Sequence, residues 1–105
     1  MAEFDLEAGL RSVQQSLKQI RSLLAWEQLR QSETRPSQQF SFQMYDPTET
    51  DLRNEYSFFL SISFQMHKIL NDNTINLEGE RDSIKGQLIK IEQQVQDLNL
   101  HQRFL

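Results

Sequence analysis

The chain has 105 residues, a formal net charge of −4 and no cysteine, which is the length of one small domain. Nucleic-acid binding depends on lysine and arginine neutralising phosphates, so we expect no nucleic acid among its partners. The lack of cysteine excludes disulfides, thiolate zinc ligands and thiol nucleophiles. No apolar run reaches the roughly 18 residues of a membrane span, and no secretory signal opens the chain, so we expect an intracellular, cytoplasmic protein.

The first predicted element is a helix over about residues 5–31. Trp26 lies on a displaced apolar line near its end, where a large ring suits a half-buried boundary. We expect the helix to close a bundle within the chain or to pair with a second chain, because its apolar side chains recur every four and three residues. This apolar seam consists of Leu6, Leu10, Val13, Leu17, Ile20 and Leu24.

A connector is predicted over residues 32–47, and it contains an unusual number of bulky apolar side chains. Phe40, Phe42 and Met44 alternate with polar residues, and Tyr45 follows them. A period of two predicts a short extended segment with one apolar face. We expect this segment to cover the bundle or to form a binding edge.

The second predicted helix spans about residues 48–71. Thr48 and Asp51 approximate a capping box directly after a proline turn signal. Apolar side chains surround so much of this helix that we expect it to be central in the fold. They form a seam and a second stripe, which together comprise Leu52, Tyr56, Phe58, Phe59, Ile62, Met66, Ile69 and Leu70.

An alternative for part of this segment is a β-strand. Leu60, Ile62, Phe64 and Met66 alternate with polar residues, as strand residues do. The tetrapeptide Ser-Phe-Gln-Met also occurs twice, so an antiparallel strand pair is conceivable. The length of the apolar stretch and the capping signal before it favour a helix.

A third helix is predicted over residues 74–103, with Arg81 at one position of its seam. The link after the second helix would have about three residues, which forces helices 2 and 3 to be antiparallel. The sequence therefore predicts an all-α single domain over residues 1–105, with three long helices in a coiled-coil-like bundle that is able to dimerise. The third seam consists of Leu77, Ile84, Leu88, Ile91, Val95 and Leu98.

We predict no enzyme, and no catalytic, cofactor or metal site. His67 and His101 have no companions at metal-ligand spacing, and no phosphate loop or nucleophile motif occurs. The predicted function is a non-catalytic protein-protein interaction module, a coiled-coil adaptor or assembly subunit that forms a homodimer or hetero-oligomer. Its predicted interface residues are Leu6, Leu10, Val13, Leu17, Ile20, Leu24, Trp26, Phe40, Phe42, Met44, Tyr45, Phe58 and Ile62.

Two alternatives for the function stay open. The protein could be an inhibitor or chaperone-like protein that masks the surface of a partner. It could also be a helical bundle that binds a hydrophobic small molecule in a pocket. The side chains expected to line such a pocket are Trp26, Tyr56, Phe58, Phe59 and Phe64.

Overall fold

The computed structural model describes residues 5–32 and 47–104, apart from the side chains of residues 31, 32 and 47. Within these ranges the chain forms helices and no strand, and three of the helices are long and pack together. The predicted all-α bundle is thus confirmed, while the predicted extended segment at residues 40–44 lies outside the described residues. The helices are α1 (Leu6–Ser32), α2 (Pro47–Leu70), α3 (Arg81–Gln96) and the short α4 (Leu100–Phe104).

Helices α1 and α2 run antiparallel. Ser16 Oγ donates a hydrogen bond to Glu55 Oε2 at 2.7 Å, and Arg30 Nη1 donates to Thr48 Oγ1 at 3.0 Å. Moving forward along α1 therefore means moving backward along α2. The two helices make the most extensive contact in the bundle.

Helices α2 and α3 are also antiparallel, as predicted. His67 Nε2 lies 2.9 Å from Glu92 Oε2, and Lys85 Nζ donates to Asn71 Oδ1 at 3.3 Å. Helix α1 contacts α2 most and α3 less, and the contact between α2 and α3 is the smallest of the three. The bundle is therefore more open between α2 and α3 than on its other sides.

Residues 58–66 are helical throughout, so the strand alternative for this segment is wrong.

One apolar core joins all four helices. The side chains that the seams bury together are Leu6, Val13, Leu17, Ile20, Leu52, Tyr56, Phe59, Met66, Leu70, Ile84, Leu88, Ile91, Val95 and Leu100.

Two buried serines connect neighbouring helices. Ser16 on α1 donates to Glu55 on α2, and Ser63 on α2 donates to Glu92 on α3. A buried hydroxyl without a partner costs free energy, so each serine needs such an acceptor. Both interfaces of α2 thus contain a buried serine hydroxyl that is hydrogen-bonded to a glutamate of the neighbouring helix or of α2 itself.

The link between α2 and α3 is longer than predicted. It occupies residues 71–80, and α3 begins at Arg81, so the predicted start at residue 74 is wrong. Asp72 Oδ1 accepts hydrogen bonds from the amide and hydroxyl two residues later, at 2.9 and 2.6 Å. Asn76 Oδ1 accepts from the amide two residues later at 3.0 Å. Such side-chain turns compete with helical hydrogen bonds and keep the segment irregular.

Arg81 closes the end of α2 instead of occupying a position in an apolar seam. Its guanidinium donates hydrogen bonds to the carbonyl oxygens of Leu70 and Ile75. The last carbonyls of a helix have no partner within the helix, so an arginine that reaches them stabilises the helix end. The same contacts hold the link against the bundle.

The predicted third helix also ends earlier than expected. Helix α3 ends at Gln96, and α4 starts at Leu100 after a turn. Asn99 has a positive φ of 59°, a left-handed conformation that asparagine tolerates better than most residues. The turn changes the direction of the chain and returns Leu100 to the core, where it is almost fully buried.

Helix α4 closes one end of the bundle. Arg103 donates hydrogen bonds to Glu27 on α1 and, at 3.0 Å, to Glu49 on α2. The hydrogen bond to Glu27, followed by that to Glu49, raises the pKa of Arg103 above its ordinary value. The guanidinium of Arg53 lies 5.3 Å from the centre of the Phe104 ring. These contacts tie the last helix to the first two.

Candidate interaction surface

Most of the predicted interface residues on α1 belong to the core of this chain. Four of them, Leu6, Val13, Leu17 and Ile20, are buried. Leu10, Leu24 and, on α2, Ile62 are partly buried and pack against the same core. The α1 seam thus packs against α2 and α3, which leaves few of its side chains accessible to a second chain.

Two of the predicted interface residues are exposed on the bundle surface. Trp26 on α1 is 58% exposed, and Phe58 on α2 is 47% exposed. Both are large aromatic side chains of the kind that dominate protein interfaces. The predicted residues Phe40, Phe42, Met44 and Tyr45 lie outside the described residues.

Four further exposed apolar residues were absent from the predicted interface: Leu29 on α1, and three that lie on α2 and α3. Leu60 is 41% exposed, Phe64 is 65% exposed and Ile89 is 48% exposed. The prediction followed the seams, and these residues stand beside them. The sequence signal for such residues is an apolar side chain that lies outside the seam of its helix, because packing in the core does not explain it.

The three residues on α2 and α3 belong to two rows that face each other across the boundary of these helices. Spacings of four, three and four residues place the members of each row on one face of the helix. The rows are opposed because Asn71 contacts Lys85 and His67 contacts Glu92. We call the space between them the α2–α3 groove. The α2 row is Leu60, Phe64, His67 and Asn71, and the α3 row is Lys85, Ile89, Glu92 and Gln96.

A polar network crosses the α2–α3 groove. Glu92 accepts a hydrogen bond from Ser63 Oγ, and His67 Nε2 lies 3.0 and 2.9 Å from its two oxygens. The carboxylate stands between hydroxyl and imidazole, whereas serine activation requires the imidazole to take the hydroxyl proton directly. The network fixes α3 against α2.

The groove widens towards α4 into an open cavity of about 350 Å³. Tyr56 and Phe59 border it from the core, and burial raises the pKa of the Tyr56 phenol. Of the five aromatic residues expected to line a small-molecule pocket, these two come together here. Trp26, Phe58 and Phe64 are instead exposed at the outer surface of the bundle.

The part of the chain that the structure describes holds no group of three or more His, Cys, Asp or Glu side chains placed to bind a metal ion. Over the same residues, no helix is both long enough and apolar enough to cross a membrane. Comparison of the chain with protein-family models, curated proteins and solved structures gives no match. A function must therefore be inferred from the bundle surface itself.

Proposed function

We propose that this protein is a non-catalytic interaction module, an adaptor or assembly subunit that binds other proteins through the outer surface of its helical bundle. The observation that supports this most directly is the exposure of Phe64, with 65% of its surface open to water. Leu60 lies one helical turn away, and Ile89 lies on the opposite row of the α2–α3 groove. Apolar side chains that border a groove are typical of docking surfaces, whereas single exposed ones are ordinary.

The fold does not require these side chains for its core. Burying a large apolar side chain contributes about 1.5–3 kcal/mol, and an exposed one leaves much of this unused. The contribution becomes available when a partner covers the side chain. Among the described residues, six large apolar side chains are at least 41% exposed, namely Trp26, Leu29, Phe58, Leu60, Phe64 and Ile89.

The exposed residues of α2 lie on two sides of the helix, which favours an adaptor. Phe58 and Leu60 are two positions apart, which is about 200° around a helix of 3.6 residues per turn. Leu60 borders the α2–α3 groove, whereas Phe58 lies three residues after Glu55, which contacts Ser16, and so shares the α1 side of α2. Two separate apolar surfaces allow one chain to contact two components at once.

The test is whether the purified chain associates with itself or with a defined partner. Light scattering over a wide range of concentration measures self-association, and mass spectrometry identifies any protein that co-purifies. We expect either an oligomer or a complex that can be rebuilt from two purified components. Phe64→Ser should weaken that association, while Gln65→Ser, an exposed polar neighbour, should leave it unchanged. A chain that stays monomeric and retains no partner contradicts the proposal.

A further inference from the structure

We draw no further inference here: the strongest candidate, an open apolar cavity of about 660 Å³ between the start of α1, the end of α2 and the link before α3, is bordered by the acidic side chains of Asp5, Glu7 and Glu80, and no second observation among the described residues shows what would bind there.

Discussion

Replacing Met66 and Phe64 in turn by alanine measures which face of α2 is buried. Met66 is 0% exposed and Phe64 is 65% exposed, although the two lie only two residues apart. Truncating a fully buried methionine costs about 2–5 kcal/mol, including the cavity left behind. Full burial of a phenylalanine contributes about 1.5–3 kcal/mol, so the buried third of Phe64 contributes about 0.5–1 kcal/mol. Met66→Ala should therefore be several times more destabilising than Phe64→Ala.

The two variants are compared by thermal and urea unfolding, with far-ultraviolet circular dichroism as the readout. In a chain of this size, about 1 kcal/mol shifts the midpoint by roughly 4–8 °C, so Met66→Ala should lower it by about 8–40 °C and Phe64→Ala by about 2–8 °C. The urea dependence of the free energy of unfolding should stay the same in both variants. Equal losses would refute the helical placement, because a strand would turn both side chains to one face.

Three further predictions concern local features. Gly86→Ala should raise the free energy of unfolding by about 0.5–1 kcal/mol, because the site is helical with open space around it. Gly79→Ala should lower it by about 1 kcal/mol, because φ there is +87°. Urea unfolding checks both, and two changes of the same sign would contradict the backbone conformations given for these glycines. Arg103→Gln should cost about 0.5–1 kcal/mol at low salt and less at high salt, since its ion pairs are partly exposed; a loss independent of salt would contradict this. The hydrogen bonds from the Thr74 hydroxyl and then from its amide lower the pKa of Asp72. The stabilisation from these bonds is therefore fully present above the ordinary aspartate pKa, about 4, and it is lost as the pH falls through the lowered pKa. Thr74→Val should raise the pKa of Asp72 in a carboxyl-carbon NMR titration, and an unchanged value would rule out the threonine hydroxyl as the main cause of the shift.

The first two helices could be predicted from the sequence because their signals are local. The predicted bounds 5–31 and 48–71 differ by one residue from Leu6–Ser32 and Pro47–Leu70. An apolar residue every three or four positions is a property of the helix itself. Pro36 follows the first pattern and Pro47 precedes the second, so a proline marks where one stops and where the other starts.

The third helix was predicted too long because the spacing of apolar residues continues through segments that are not helical. Leu77 keeps the spacing of the seam, and it does pack against the core, but from the link. The asparagine and aspartate side chains of the link accept hydrogen bonds from backbone amides two residues later, and Asn99 has a positive φ in the turn that separates α3 from α4. These polar residues were visible in the sequence, but the heptad pattern was given more weight.

The candidate surface could be predicted only in part. A seam shows that side chains are buried, but it does not show whether the partner is the same chain or another. Leu6 and Val13 are therefore core residues, although they were assigned to an interface. Phe64 was missed for the converse reason, because its exposure depends on how far apart α2 and α3 stand, which is a tertiary property.

The buried serines at the two interfaces of α2 have a consequence for how this bundle tolerates change. Leucine, isoleucine and valine fit many axial positions of a neighbouring helix, so an all-aliphatic bundle admits shifts by one turn. Sliding α2 would separate Glu55 from Ser16 and Glu92 from Ser63, and each move would strand polar atoms among hydrocarbons. Aliphatic side chains at these interfaces can then vary in size while α2 keeps its axial position and its rotation about the helix axis. The outer face of α2 therefore keeps its orientation.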